Sequence, residues 1–211
     1  KGVLTFMDEK IINAEQINII GKDGKPRLSL FNEDHIPNAL FRGEVILEGH
    51  RQKDNIAGML FFNPDGTEVG GLIYGNDVDA NGHQTAGMSL TFDQFEQDQV
   101  LQLLYTKHGD NQQYGIHLFD RPNTTLKEQA EAVEEALKIE DDEQQKKTIE
   151  AVYAGNVPRA FFGKKNDTIS VELYDKSYQP RLKMYLDQNG EPHIDFLNEQ
   201  GEVTYSIPPK L

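Results

Sequence analysis

The stretch VELYDKSYQPRLKMYLDQNGEPHIDFLNEQG, residues 171–201, decides the fold of this chain. Apolar and polar residues alternate in three short runs, which end at Asp175, Asp187 and Asn198. Alternation with a period of two, rich in aromatic and β-branched residues, is typical of strands. The run ends lie 12 and 11 residues apart, which is room for one strand and one tight turn. Parallel neighbours would need a crossover of roughly a dozen residues, so the spacing predicts an antiparallel meander.

The same unit recurs along the rest of the chain. Further copies end at Asn32, Asn63, Asp93 and Asp120. Turn residues follow many copies, and the clearest set is Asn-Pro-Asp-Gly at 63–66, in which Pro presets φ and Gly takes a left-handed conformation. We therefore predict a mainly β protein, an antiparallel meander that closes as a barrel or folds as a sandwich. A β-solenoid is the alternative, because the repeat is nearly regular.

Glycines precede the apolar runs of four strands, at Gly58, Gly71, Gly87 and Gly115. Glycine inside a strand marks a bulge, a bend or a close backbone approach. Curvature of a coiled sheet explains these positions without a ligand, and a backbone that faces a ligand is the alternative interpretation.

Residues 1–211 are predicted to form a single β-rich domain with one helical insert at 124–154. Thr125 followed by Glu128 has the pattern of a capping box. The pattern is interrupted near Asp141, so the insert is either one long helix or two short ones. A second irregular region, 33–58, is predicted to be a long loop around a short strand at 40–47, and it concentrates basic side chains.

The composition limits the function. The chain has 211 residues, no cysteine and a net charge of −14. Disulfides, thiolate zinc sites and cysteine nucleophiles are therefore excluded, and an acidic surface argues against nucleic acid as a partner.

No apolar run approaches the roughly 20 residues of a membrane helix, so no membrane span is predicted in this chain. Because the chain begins with Lys1, we expect an upstream segment such as a secretion signal, a membrane anchor or a tag.

One turn resembles the first half of a calcium-binding loop. Asp77, Asp79 and Asn81 offer oxygen ligands at alternate positions, followed by a glycine. A hard cation needs this arrangement, but the twelfth position is Met88 where a bidentate Glu is required. A polar hairpin turn is the preferred interpretation, and a calcium site at these three residues is the alternative. No other cofactor is predicted.

Three carboxylates lie within six residues, at Asp93, Glu96 and Asp98. If the segment is extended, Glu96 and Asp98 share one face, and paired carboxylates can carry acid–base chemistry. A polar hairpin gives the same letters, so these three are candidate catalytic residues and no more. The chain contains no nucleophile elbow, phosphate loop or dinucleotide fingerprint. His117 and His193 lie on strands or at their ends near a carboxylate and are predicted to be structural. No close ligand pair in sequence is formed by any of the six histidines, which are His35, His50, His83, His108, His117 and His193.

Several blocks resemble a family of uncharacterised bacterial proteins. These blocks are DGKPRL at 23–28, AGMLFFN at 57–63 with DGTEVGGLI at 65–73, LTFDQFEQDQ at 90–99 and FDRP at 119–122. The resemblance covers residues 15–122 and, more loosely, 158–206. It implies no activity and no catalytic residue, because none is established for the family. Members often carry an N-terminal hydrophobic segment, which implies a cell-envelope or exported location.

These observations together predict a non-enzymatic binding or scaffolding module, with an unknown protein or small molecule as its partner. The region 33–58 and the helical insert are the predicted contact surfaces. A calcium-binding β module and a carboxylate-dependent enzyme are the alternatives.

Overall fold

The computed structural model describes residues 11–209. These residues form fourteen strands and two helices. The strands are β1 (Gln16–Ile20), β2 (Pro26–Phe31), β3 (Ala39–Phe41), β4 (Glu44–Ile46), β5 (Ile56–Phe62), β6 (Glu68–Val78), β7 (Gln84–Asp93), β8 (Gln99–His108), β9 (Asn111–Asp120), β10 (Val157–Lys165), β11 (Thr168–Tyr174), β12 (Pro180–Leu186), β13 (Pro192–Leu197) and β14 (Val203–Ile207). The helices are α1 (Leu126–Ala136) and α2 (Asp142–Val152).

Twelve strands form one sheet in the order β1-β2-β5-β6-β7-β8-β9-β10-β11-β12-β13-β14. Each of its pairings is antiparallel, so the predicted meander is confirmed. The solenoid alternative is wrong, because the coils of such a fold pair in parallel. Within residues 11–209 the sheet is open, with β1 and β14 at its two edges. Closure into a barrel or a sandwich stays a prediction.

Tight turns with a glycine bulge join many neighbouring strands. In the turn after β12, Asp187 Oδ1 accepts hydrogen bonds from the backbone N–H groups of Asn189 (2.8 Å) and Glu191 (2.9 Å). Gly190 then has a φ of 85°, which favours glycine because an L side chain would be strained there. The side chains of Asp175 and Asn198 accept the same pair of backbone hydrogen bonds, so the repeated Asn or Asp of the sequence unit organises the turns after β11, β12 and β13.

The sheet has one apolar face. Alternate residues of a strand point to the same side, and the pairing carries this side across all twelve strands through partners such as Leu72 with Leu90, Leu103 with Ile116 and Phe196 with Tyr205. We name this side the apolar face. Its exposed large side chains are Ile17, Ile19, Tyr74, Val78, Met88, Phe92, Leu103, Tyr105, Tyr114, Ile116, Leu118, Phe162, Ile169, Leu173, Met184, Leu186, Phe196, Tyr205 and Ile207.

The opposite side, the polar face, carries the core and the buried polar groups. One hydrophobic cluster joins Phe31, Leu60 and Phe62 of the sheet to Ile36 of the following loop. A second cluster joins the β3–β4 hairpin to Ala130 of α1. The loop, the hairpin and α1 therefore cover the polar face over its N-terminal strands. Small polar side chains are buried on this face at Ser29, Ser89, Ser170 and Ser206.

The helical insert consists of two short helices, which settles the alternatives left by the sequence. Thr125 and Glu128 form the predicted capping box, and Asp141 caps α2 by accepting a hydrogen bond from the N–H of Gln144. The side chain of Gln97, which is 2% exposed, donates to the Thr124 carbonyl (2.7 Å) and to Gln129 Oε1 (3.1 Å). This buried amide fastens α1 to the loop between β7 and β8.

Region 33–58 differs from its prediction in two details, the first of which is that its last three residues, from Ile56, belong to β5. The single strand expected at 40–47 is a hairpin, because Arg42 and Gly43 turn the chain with φ values of 51° and 83°. Consecutive positive φ values make the tight turn that matches the twist of two antiparallel strands.

No helix within residues 11–209 is long and apolar enough to cross a membrane.

The four glycines of the sequence pattern lie within strands β5, β6, β7 and β9. Three of them allow close packing, and the fourth borders open space. A Cβ on Gly58 would lie 2.1 Å from the Leu72 carbonyl oxygen, and one on Gly115 would lie 2.4 Å from the Phe162 carbonyl oxygen. A Cβ on Gly71 would meet the Leu60 side chain at 2.7 Å. At Gly87 the nearest atom would be 3.8 Å away, so sterics alone do not require glycine there.

Candidate functional site

The three candidate carboxylates do not act as one group. The segment between β7 and β8 is a tight turn in which Glu96 has a φ of 57°, so the extended conformation that would place Glu96 and Asp98 on one strand face is not formed. Glu96 turns toward the hairpin and forms an ion pair with Arg42. Asp93 and Asp98 instead line a common cleft on the polar face.

This cleft has a volume of about 320 Å³ and a charged end. Arg51 and Glu68 form a two-pronged ion pair there, with Nη1–Oε1 and Nη2–Oε2 distances of 3.3 and 2.9 Å. Their side chains are 14% and 18% exposed, so the pair is largely removed from water. The basic residues of region 33–58 are evident from the sequence, but the pairing of Arg51 with Glu68 is not, because it depends on how the loop folds back on β6.

Asp93 is the perturbed carboxyl of this cleft. Burial raises the pKa of Asp93 to about 7, and the negative charges of Asp98 and Glu68 add to the effect. Arg121 and Arg51 act in the opposite direction. Arg121 is held in place because its Nε donates to the Gln99 carbonyl at 2.7 Å. A carboxyl that titrates near neutral pH in a cleft is a functional-site candidate.

A groove of about 380 Å³ continues from the cleft along the polar face. Ile56, Ile73 and Ser89 line both cavities. Beyond them Gly75 and Gly87 lie along the groove, and His108 stands at its far end. The open space above Gly87 is thus continuous with a cavity, which fits the ligand-facing interpretation at this one glycine.

The predicted calcium loop is the tight turn between β6 and β7. Asp79 organises it, because its Oδ1 accepts hydrogen bonds from the N–H groups of Asn81 (2.8 Å) and His83 (2.9 Å). These bonds and that of His108 lower the pKa of Asp79 to about 2. The Asp77 carboxylate instead accepts from the N–H of Val78, and Asn81 contributes a backbone bond to the turn.

Two histidines meet the other oxygen of Asp79. Asp79 Oδ2 lies 3.1 Å from His83 Nδ1 and 2.8 Å from His108 Nε2. The three ligand atoms all lie within 4.8 Å of one another, and Asp77 does not belong to this set. No close ligand pair of histidines is visible in the sequence, so this cluster was not predicted. A signal was present, since His83 closes the same turn and His108 ends a neighbouring hairpin strand.

The apolar face is the third candidate site. Phe162 and Tyr205, for example, are 53% and 57% exposed. Charged residues on this face lie at its margins, as Lys107 and Lys164 do near one end of their strands. Monomeric proteins seldom expose apolar patches beyond roughly 300–600 Å², so a face of this extent is a candidate interaction surface.

The described part of the chain thus has three candidate functional sites: the charged cleft, the Asp79–His83–His108 cluster and the apolar face. No protein-family model matches the chain and no curated protein matches it, so its function is inferred from the geometry of these sites.

Proposed function

We propose that the protein is a non-enzymatic binding and assembly module that works through the apolar face of its sheet, and that the partner is a second copy of the same chain. One observation carries the proposal: an unbroken apolar face crosses all twelve strands and leaves its large side chains about half exposed. Two such faces packed together would form the sandwich that the alternation predicts, with half of it contributed by each copy.

The size of the face favours a partner of equal width. Roughly twenty large side chains that each expose roughly 80 Å² amount to roughly 1,500 Å², against roughly 800 Å² per partner in a standard interface. Twelve strands at about 4.8 Å spacing extend over roughly 50 Å. A second sheet of this chain matches that width, and facing sheets pack about 10 Å apart when their inner side chains are apolar.

The charge distribution supports the same partner. The chain carries a net charge of −14, which opposes the approach of two copies through most surfaces. Charge repulsion does not oppose contact through the middle of the apolar face, because the cross-strand partners there are apolar residues such as Leu90, Leu103, Ile116 and Phe162. Acidic side chains of the same strands, such as Glu172 and Asp195, belong to the polar face.

Sedimentation equilibrium of the full chain over a hundredfold concentration range tests the proposal. We expect a species of twice the 23.9 kDa chain mass. Leu103→Glu, in the middle of the sheet, places a charge on the apolar face and is expected to shift the equilibrium to monomer. Thr106→Glu is the matched control, because Thr106 lies on the same strand and faces the other side.

Each outcome decides for or against the second copy. A monomeric wild-type chain overturns the proposal. A dimer that Leu103→Glu leaves intact also overturns it, since such a dimer must use another surface, for example the edge strand β1 or β14. Sedimentation with phosphatidylcholine vesicles of a chain that is monomeric in their absence would assign the face to a lipid surface instead.

A second candidate function is small-molecule binding in the charged cleft. It is favoured by the position of Asp93 and the Arg51–Glu68 pair at one end of a groove that continues to His108. The carboxylate-dependent enzyme is the catalytic form of this candidate, with Asp93 as the group that exchanges a proton. The apolar middle and charged ends of the groove suit an elongated ligand with an apolar body.

Ligand-observed NMR with a fragment library tests the second candidate. Fragments that bind the cleft should lose affinity in Asp93→Asn and keep it in Glu131→Gln, which removes a carboxylate from the exposed side of α1. Fragments that bind both variants equally, or none at all at millimolar concentration, would remove the cleft from consideration.

A further inference from the structure

We infer that Asp79, His83 and His108 form a binding site for a zinc-class divalent cation, in which the protein supplies three ligands and solvent the fourth. This site is separate from the apolar face, so its test and that of the assembly function can fail independently. The sequence predicted calcium at this turn, whereas the ligand atoms of the cluster suit a different class of metal.

The backbone fixes the carboxylate before any ion binds. Asp79 N donates to the His83 carbonyl and Gly82 N donates to the Asp79 carbonyl, both at 2.9 Å. Together with the two bonds to Asp79 Oδ1, these close the turn around one oxygen of the side chain. Oδ2 is left to face the imidazoles, so a single carboxylate oxygen is presented in a defined position.

The second hairpin is tied to the first at the same level. Gly109, the residue after His108, donates its N–H to the Gln84 carbonyl at 2.9 Å. The imidazole rings of His83 and His108 lie with centroids 5.6 Å apart and their planes inclined by 67°. Two rings at this angle direct their nitrogens toward a shared point without stacking on each other.

The donor set selects the metal. Two imidazole nitrogens and one carboxylate oxygen are the ligand types of zinc sites that keep an open position. Calcium instead takes six to eight oxygen ligands, and the cluster offers only one well-placed oxygen. The donor atoms of Asp79 are 2.8 and 3.1 Å from those of the histidines, so a small outward movement of the rings makes room for an ion.

Accessibility suits reversible binding. The side chains of His83 and His108 are 55% and 62% exposed, whereas Asp79 is 23% exposed. The ion would therefore enter from solvent onto a carboxylate that is already held by the turn. Binding requires neutral imidazoles, because a protonated ring has no lone pair for the metal.

Isothermal titration of the chelator-stripped full chain with zinc chloride tests the site. We expect one ion per chain, and a loss of at least roughly tenfold in affinity for Asp79→Asn and for His108→Gln, since each removes one of three ligands. Asp79→Asn keeps the Oδ1 acceptor that closes the turn. If His108→Gln fails to fold, His83→Gln removes the other imidazole.

His35→Gln is the matched control. His35 Nε2 pairs with Glu15 at 3.6 Å on the surface, so this variant removes a carboxylate–histidine contact that lacks a second imidazole. We expect its zinc affinity to equal that of the wild type. Cobalt(II) provides a second readout, because four-coordinate cobalt with nitrogen ligands has strong visible absorption.

The results separate the alternatives. Saturable zinc binding that both cluster variants lose, without a heat of calcium binding, supports the site. Absence of zinc binding at millimolar concentration overturns it, as does zinc binding that the variants leave unchanged. Calcium binding that depends on Asp79 but not on His108 would also overturn it and return the turn to the calcium interpretation.

Discussion

Leu103 of β8 and Ile116 of β9 are direct cross-strand partners on the apolar face, and they are 43% and 37% exposed. A pair of this kind normally belongs to a core, because cross-strand apolar contacts stabilise a sheet only modestly unless a second layer covers them. The pair lies near the middle of a twelve-stranded sheet. A second layer that covered this pair would therefore also cover the centre of the apolar face.

Ile116→Thr is expected to weaken self-association far more than it destabilises the single chain. Threonine keeps the strand preference of a β-branched residue, but each copy loses apolar contact, so we expect at least a roughly tenfold weaker dimer. The unfolding midpoint of the wild type should rise with protein concentration, because association stabilises the folded state. Urea denaturation at two concentrations checks this. An unchanged concentration dependence in Ile116→Thr would contradict the proposed interface.

Asp93→Asn should change how stability depends on pH. The pKa of Asp93 is about 7 in the fold and 3.8 ordinarily, so between these values the folded chain binds more protons than the unfolded chain. The contribution of Asp93 to the free energy of unfolding is therefore most favourable below pH 4, falls as pH rises, and includes the full cost of the charged carboxylate above pH 7. We expect Asp93→Asn to gain about 2–4 kcal/mol relative to wild type between pH 5 and pH 8.

Urea denaturation at several pH values measures this gain, and Glu131→Gln controls for the loss of a surface carboxylate. A difference between Asp93→Asn and wild type that stays constant from pH 5 to pH 8 would show that Asp93 does not titrate in this window.

Arg51→Met should destabilise the fold because it leaves Glu68 largely buried without its partner. Removing one member of a buried ion pair costs several kcal/mol, and we expect about 2–4 kcal/mol here, since both side chains keep some exposure. The double variant Arg51→Met/Glu68→Gln should recover about half of this loss, because the unpaired charge is then absent.

The exposed pair Lys147–Glu143, at 64% and 80% exposure, is the control for the ion-pair prediction. Lys147→Met should change stability by less than about 0.5 kcal/mol. Thermal and urea unfolding measure all three variants, and equal effects of Arg51→Met and Lys147→Met would be inconsistent with a buried pair.

Gly87→Ala and Gly115→Ala should have opposite effects although both glycines lie within strands. A Cβ at Gly115 would lie 2.4 Å from the Phe162 carbonyl oxygen and 2.9 Å from the Phe161 ring, so we expect a loss of about 2 kcal/mol or more. At Gly87 the space is open, and the smaller entropy of the unfolded chain should stabilise the fold by up to about 1 kcal/mol.

Unfolding free energies of the two variants test the glycine prediction. A loss at Gly87→Ala as large as that at Gly115→Ala would mean that the space above Gly87 is filled in the folded protein. If Gly87→Ala is stable and binds cleft fragments more weakly, the open space belongs to the ligand groove.

The sequence alone determined the features that depend on near neighbours. Alternation over residues 171–201 specified strands, Asn or Asp before glycine specified the turns, and Thr125 with Glu128 specified the start of α1. These follow from local geometry, because side-chain alternation, turn hydrogen bonds and helix caps involve residues within a few positions of one another.

Only the tertiary structure decided which distant residues meet. His108 reaches Asp79 because β7 and β8 pair with Thr85 opposite His108, and a shift of one residue would move His108 to the other face. The left-handed residue Glu96 likewise makes a turn of this segment and separates the Glu96 carboxylate from those of Asp93 and Asp98. Register and loop path depend on the summed packing of the whole sheet, which no local pattern encodes, and they place the charged cleft, the histidine cluster and the exposed apolar face.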